Sequence, residues 1–397
     1  MQESNAVPSG GRPTARPERP DRLRDWVGVL HDLYPPAHAE EWDQVGLHVG
    51  DLDHDTVGGV LVSLDVTAPV LHEVDERGAD LLIAHHPLLF RPLQRLTADT
   101  AAGRLALMAA RMGIAVVAAH TNVDKASAGT SHPAAAALDL RDLQPLQPLP
   151  PDPRMKLVTF VPPEHSTAVR LALADAGAGV IGDYDACSFR SPGVGSFRPG
   201  ADSRPFIGDA GQQTDVAEER VEVVVPAARR DTVVAALQQS HPYEEVPYDL
   251  YPLVEDRRGE IGLGLLGRLS QPTPLTQLVD RLAQSLHNPL VRLAASRRDD
   301  TAQHVAIIGG AGGSLINCAH RAGADLVITG DVSHHVALDA LTMGLAVIDA
   351  GHWGTEWMAM RDVDDALATA ARDRGLTAPV HRSRLNTDPW TDWNHPS

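Results

Sequence analysis

The sequence predicts an α/β protein in which two related α/β halves form a main domain, interrupted by an inserted ferredoxin-like α+β domain. Three observations predict it. The chain carries an internal repeat of strand–helix–strand character, the two copies are separated by a stretch of different composition, and 397 residues exceed one compact core, so two or more domains are expected.

The repeat pairs VLVSLDVTAPVLHEVDERGADLLI (60–83) with VAIIGGAGGSLINCAHRAGADLVI (305–328) without a gap. Each copy reads as a β-branched strand, a small-residue turn, a helix ending at Gly78 or Gly323, and a second strand. GIAVVAAH (113–120) and GLAVIDAGH (344–352) each add a further strand after a second helical stretch. The halves are assigned to residues 22–143 and 259–376. In open α/β sheets, ligands sit beyond the carboxyl ends of the strands. Chemistry is therefore expected on one edge, at His85-His86, His120 through Asp124, Asp331 through His335, and His352 through Glu356.

Between the halves, a proline-rich linker (QPLQPLPPDP, 144–153) leads into the insert at 154–258. KLVTFVP reads as a strand, Glu164 to Ala176 as a helix, RVEVVVP as a strand, Ala227 to Gln239 as a helix and EVPYDLYPL as a last extended run, within a strand–helix–strand–strand–helix–strand order that suggests a ferredoxin-like unit. The glycine-rich SPGVGSFRPG (191–200) is expected to be a long mobile loop. GLGLLGRL (262–269) re-enters the main domain, a helix is expected at about 355–374, and an irregular tail at 377–397 holds Trp390 and Trp393. Residues 1–21 read as a disordered tail.

Composition excludes several functions. A net charge of −18 repels nucleic-acid phosphate and makes nucleic acid an unfavoured partner, while a small anionic substrate stays open because bound cations dominate the local field. Cys187 and Cys318 form no Cys-x-x-Cys pair and fit a reducing compartment. No run approaches the ~18 apolar residues of a membrane span, and the N-terminus lacks the apolar centre of a signal peptide. A cytoplasmic protein without a membrane partner is expected.

The strand-end residues then read as metal ligands. His85 and His86 precede Pro87, which favours extended backbone. Neighbouring side chains in extended chain point to opposite sides, so the pair suits two neighbouring ions, one each; exposed loop histidines are the bland alternative. His352 and Glu356 share one face of a helix start, where a carboxylate can bridge two metals, or where an acid merely suits the helix N-terminus. Asp124, with His120 and Asn122 beside it, is either a ligand with outer-shell support or a turn-forming residue. Together, three imidazoles and two carboxylates suit two divalent ions such as Zn, Mn, Fe or Co, with positions left open for water.

At this point the chain resembles the NGG-interacting-factor-three-like family, also known as GTP cyclohydrolase 1 type 2 homologues. The resemblance covers nearly all of 22–375 and rests on WDQVGLHVGD (42–51), LLIAHHPLLF, HTNVDKA, GDVSHHVALDA (330–340) and AGHWGTE. It implies a dinuclear metal centre held by His85, His86, Asp124, His352 and Glu356, with the glutamate bridging. It also implies a homohexameric ring with its metal sites facing an internal cavity, and an insert similar to nitrogen-regulatory and copper-tolerance trimer proteins, whose GDYDACSF and HPYEE signatures are present. The family usually has a lysine and an aromatic residue where this chain has Ser333 and His334; Asp331 and His335 keep their matching positions as outer-shell support or substrate contacts.

The leading functional expectation is metal-assisted hydrolysis of a purine nucleotide such as GTP, opening the imidazole ring at its formyl carbon, with His120 or His335 shuttling protons. Phosphoester hydrolysis and a non-catalytic metal-binding ring or adaptor are the alternatives. Neither Lys125 nor Lys156 follows a phosphate-binding glycine loop, so guanine specificity is not written in a motif. HPYEEV (241–246) is either a further site or a turn before an edge strand.

Overall fold

A computed structural model of the chain describes residues 20–150, 153–254, 259–286 and 290–390. These divide into two compact units, one within Met1–Leu149 and Glu260–Ser397 and the other within Pro150–Gly259.

The first unit holds two main sheets. In the five-stranded one the order is Val380–Arg382, Val60–Ser63, Leu81–Ala84, Ala115–Ala118, Gly46–Val49. Its three central strands are parallel and buried along their whole length, as strands covered on both faces require. Alternation sends Val60, Val62, Leu81, Ile83 and Val117 into one core with Trp26, Met360 and Leu367, and Leu61, Leu82 and Val116 into another with Leu71, Val74 and Ala109. The helices Ala68–Glu76 and Ala101–Met112 on the second face start at the threonine caps Thr67 and Thr100, each hydroxyl satisfying an orphan N–H of the first turn.

In the six-stranded sheet the order is Arg292–Ala294, Ala346–Asp349, Leu326–Thr329, Thr301–Ile307, Gly262–Pro274, Arg141–Pro148. The repeated segments occupy equivalent places. Val60 pairs with Leu81 and Leu81 with Ala115, and Val305 pairs with Leu326 and Leu326 with Ala346. The gapless alignment is thus also a register.

The second unit is an antiparallel sheet in the order Tyr248–Pro252, Arg154–Val161, Thr214–Pro226, Phe189–Phe197. Its helices Pro163–Asp175 and Arg230–Ser240 bury Val169, Leu173, Val233 and Leu237 against Leu157, Val221 and Val225.

Several expectations are corrected. The glycine-rich 191–200 is no loop: its residues to Phe197 lie in the edge strand Phe189–Phe197, fully paired with Thr214–Pro226, because an edge strand tolerates Pro and Gly where a central one does not. The linker at 144–153 begins as strand Arg141–Pro148, paired with Gly262–Pro274, so residues past 143 join the six-stranded sheet. The single helix at 355–374 is two, His352–Trp357 and Met360–Asp373. The C-terminal segment is not irregular throughout, since Val380–Arg382 pairs in parallel with Val60–Val62. Asp21–Arg22 pairs with Thr56–Val57; residues 1–19 and 391–397, with Trp393, lie outside the described residues. Among the described residues no helix is long and apolar enough to cross a membrane.

Candidate metal centre

The strand Leu81–Ala84 continues its ladder past its end. His85 donates its backbone N–H to Ser63 O at 3.0 Å and His86 to Leu64 O at 2.8 Å, so the pair is fixed by the sheet, and His85 is only 2% exposed. The two rings lie 5.1 Å apart, inclined by 51°, and reach one carboxylate at different oxygens. His85 Nε2 is 3.7 Å from Glu356 Oε1, and His86 Nε2 is 3.0 Å from Glu356 Oε2.

Glu356 lies on the short helix His352–Trp357, which starts after Gly351 at φ 80°. His352 is one turn earlier on the same face, with Nε2 3.2 Å from Glu356 Oε2. Gly310, at φ +64°, makes the space: a Cβ there would stand 2.0 Å from Glu356 Oε1 and 3.3 Å from His352 Nε2. Asp124 ends the helix Thr121–Asp124 that follows the strand Ala115–Ala118. Its Oδ1 accepts from Thr130 Oγ1 at 2.7 Å and lies 3.5 Å from His85 Nε2. The sequence placed these strand ends on one edge; they come from two sheets, because each repeat builds its own.

Each imidazole has its other nitrogen tethered. His85 Nδ1–H donates to Ala119 O at 3.0 Å, His86 Nδ1–H to Asp65 Oδ1 at 2.7 Å, and His352 Nδ1–H to Asp331 Oδ2 at 2.8 Å. Such partners fix the tautomer and leave Nε2 as the inward ligand atom. The Nε2 atoms of His86 and His352 stand 3.2 Å apart, a contact that two lone pairs resist unless a cation or proton lies between them. His85 Nε2 and Glu356 Oε2 are buried with no hydrogen-bond partner, which native structures rarely leave unexplained. Ligand atoms of His85, Asp124 and Glu356 lie within 4.8 Å of one another, as do those of His86, His352 and Glu356. These buried groups could hold metal ions, and their nitrogen and oxygen donors fit a divalent transition metal.

Without a cation, protons and carboxylates share the charge. Burial opposes a charged His86, but its hydrogen bond to Asp65 and the adjacent Glu356 carboxylate outweigh this and raise it to about 10. His352 rises to about 9 against the same opposition from burial, chiefly through Glu356. Burial acts to raise Glu356, yet the surrounding histidines hold it well below the usual carboxylate range. Asp124, for which burial prevails over the pull of His85, is shifted up.

A sequence profile of the Duf34/NIF3 (NGG1p interacting factor 3) family matches residues 22–389. The chain belongs to this family. It is 41% identical over 365 residues to the Bacillus subtilis "GTP cyclohydrolase 1 type 2 homolog", covering 92% of this chain and 97% of that one. It is 40% identical over 372 residues to the protein of the same name from Mycobacterium tuberculosis, covering 93% and 96%. The crystal structure of a Bacillus cereus protein related to NIF3 superposes with a TM-score of 0.80 at 38% identity, over 94% of this chain and all of that one (100%). The mixed α/β, multi-sheet architecture is the one this family member has.

The remaining family-matched positions separate by contact. The His120 ring lies 5.1 Å from that of His85 and 5.6 Å from that of His86. Its Nδ1–H donates to Asp43 Oδ1 at 2.8 Å, and Asp43 also accepts from the Thr121 N–H and hydroxyl. Burial works against the Asp43 charge, but these bonds hold its carboxyl far below the usual range. Asn122 accepts from the His120 N–H and donates to Tyr34 O; it holds the backbone here instead of touching a ligand carboxylate. Asp331, at φ 54°, orients His352. His335 is exposed on the helix His334–Thr342, its ring against that of His334 at 5.4 Å, and is in none of the ligand groups of the described residues. Ser333 caps that helix through Val336 N.

Sequence reasoning missed Asp65, Asp43, Thr130 and Gly310. Asp65 was findable, since it follows the strand Val60–Ser63 as His85 follows the next. Thr387, whose hydroxyl donates to Asp65 Oδ2, lies in the segment read as a tail and carries no local signal.

Proposed function

We propose that this chain is a metal-dependent hydrolase with a dinuclear centre, acting on a small anionic substrate of the nucleotide class. The observation that carries it is the division of the ligand atoms around Glu356, with His85 at Oε1 and Asp124 beside His85, and His86 and His352 at Oε2. On this reading His85, His86, Asp124, His352 and Glu356 would hold two ions of the Zn, Mn, Fe or Co type, with Glu356 placed between the two ligand groups. Paired ions of this kind lower the pKa of water and polarise an electrophilic centre.

The chain's own residues supply the rest. Asp65, Asp331 and the Ala119 carbonyl orient the imidazoles, while Asp43 fixes the His120 tautomer, leaving its Nε2 to take up or release a proton beside the centre. His335, exposed and apart from the cluster, is the weaker of the two proton carriers expected from sequence. Two dications outweigh the charge of Asp124 and Glu356, which favours an anionic substrate in a chain of net charge −18. Trp42 and Phe90 are about half exposed and stand 6.1 and 6.4 Å from the His120 ring, giving a flat heterocycle aromatic faces to stack on. The names of the relatives agree with a nucleotide substrate and hydrolytic opening of its ring.

The wider reading treats the two sheets as copies of one α/β unit. The insert, with its strands in the spatial order fourth, first, third, second, is then ferredoxin-like, and the assembly a homohexamer, which native mass spectrometry tests. For the activity, metal-reconstituted protein is assayed for formate and orthophosphate release from GTP and a nucleotide panel. Formate release abolished by Glu356→Gln supports ring opening, phosphate release alone moves the assignment to a phosphoesterase, and tight metal binding without turnover makes the chain a metal-binding adaptor. Activity unchanged in His85→Ala or Glu356→Gln would sink the site.

A further inference from the structure

Two sequence features that the metal centre does not use, the glycine-rich stretch at 191–200 and the HPYEE segment at 241–245, come together within the second unit. They line a cavity of about 740 Å³, inside the range of roughly 300–1,000 Å³ typical of small-molecule sites.

The cavity has a built floor. Glu218, on the strand Thr214–Pro226, is 8% exposed, and the edge strand beside it carries Gly193 opposite it in register and Gly195 two residues on. A Cβ at Gly195 would stand 2.1 Å from Glu218 Oε2 and 2.7 Å from its Cδ. The carboxylate therefore lies against bare glycine backbone, and any side chain at 195 would displace it. From the other side, Tyr243 donates its hydroxyl to Glu218 Oε1 at 2.8 Å. Tyr243 is itself anchored, its backbone N–H donating to His241 Nδ1 at 3.2 Å while His241 Nε2–H donates to Phe160 O at 3.0 Å. HPYEE is thus a scaffold that holds a tyrosine on a buried carboxylate.

The walls are aromatic. Phe197 and Phe206 stand 6.5 and 6.2 Å from the Tyr243 ring, and Phe206, a large apolar side chain, is about half exposed. Two arginines line the cavity: Arg220 is already engaged, donating to Glu222 at 2.9 Å and lying over the Phe160 ring, and Arg198 is exposed to solvent. Among the described residues Glu218 forms no ion pair. Glu244 and Glu245 also line the cavity, so an anion is disfavoured there. A buried carboxylate answered only by a hydroxyl lacks the counter-charge that burial calls for, and surrounding aromatic faces attract cations.

We propose that this cavity binds a small organic cation, an ammonium or amidinium on a flat apolar body, with the N–H groups on Glu218 and the body between Tyr243, Phe197 and Phe206. The site is independent of the metal centre.

The test uses full-length, metal-loaded protein with benzamidine as the cationic probe and benzamide as its neutral counterpart, titrated by calorimetry or ligand-observed NMR. Benzamidine is expected to saturate one site and to bind at least about tenfold tighter than benzamide, the scale of one charge-assisted hydrogen bond. Glu218→Gln should erase the difference, and Gly195→Val, which moves the carboxylate without removing it, should do the same. Tyr243→Phe should preserve it. Metal content and far-UV circular dichroism should be unchanged in all three, which separates a failure of this site from a failure of the metal centre. Equal binding of the two probes, no binding of either, or a preference that survives Glu218→Gln overturns the proposal.

Discussion

The Gly310→Ala substitution probes the centre without touching a ligand. An alanine Cβ at this position would stand 2.0 Å from Glu356 Oε1, where a Cβ does not approach another heavy atom more closely than about 3 Å. Either the carboxylate or the 310 backbone must therefore move by about 1 Å. Metal–ligand distances tolerate only about ±0.2 Å, so a shift of that size would take the Glu356 carboxylate out of reach of an ion held by its neighbours. Loss of an outer partner alone costs about 10–100-fold in metal affinity, and displacing Glu356 itself should cost more than about 100-fold. The backbone adds its own penalty: at φ +64° an alanine costs about 1–2 kcal/mol relative to glycine, equivalent to a melting-temperature loss of a few degrees. The assay is calorimetric titration of Zn(II) or Mn(II) into chelator-treated protein, with thermal unfolding in parallel. Wild-type stoichiometry and affinity in a folded Gly310→Ala variant would refute the reasoning.

Five further outcomes follow from the structure. Asp65→Asn and Asp331→Asn, which weaken the tethers of His86 and His352, should each lower metal affinity about 10–100-fold while circular dichroism stays unchanged. His86 and His352 hold their protons to about 10 and about 9 in the metal-free protein, so metal must displace them: affinity should rise with pH from neutrality to about 9–10, with proton release measurable by titration in buffers of different ionisation enthalpy. These raised values stabilise the metal-free fold fully below the unfolded histidine value of about 6.5, and that contribution is lost as pH rises through about 9–10, so melting of metal-free protein should fall over that interval and melting of loaded protein should not. His120→Gln should keep the metal and lower turnover by about 10²–10⁴-fold, read by elemental analysis beside the formate assay. Glu73 is buried and accepts from Ser383 Oγ at 2.5 Å, Arg384 N at 3.1 Å and Arg77 Nη2 at 2.8 Å; Glu73→Ala should cost about 1–3 kcal/mol in denaturant unfolding by leaving these donors unmatched.

What the sequence discloses and what it hides have different physical origins. The parallel strands are legible because burial on both faces demands short apolar runs such as VLVS, LLIA and LVIT. The repeat carries even their register, because the gapless offset that aligns Val60 with Val305 also aligns Leu81 with Leu326. His85, His86, Asp124, His352 and Glu356 were legible as strand-end residues, and they converge; what no local signal supplied was that two sheets contribute them. The edge strand Phe189–Phe197 was hidden by SPGVGS, a composition that reads as loop because edge pairing does not need β-formers on every residue. Thr387 and the Val380–Arg382 strand were hidden because their role arises only from docking against Val60–Val62 and Asp65, residues more than three hundred positions away in the chain. His335 was read from its place beyond a strand end and its match to the family motif GDVSHH, and the helix beginning at His334 carries it to an exposed position.

The central claim is that two ions share Glu356, and anomalous diffraction from protein purified without chelator tests it most directly. The account predicts two peaks per chain, one bound by His85 and Asp124, the other by His86 and His352, with a Glu356 oxygen on each. A single peak, or metal held without Glu356, would contradict it.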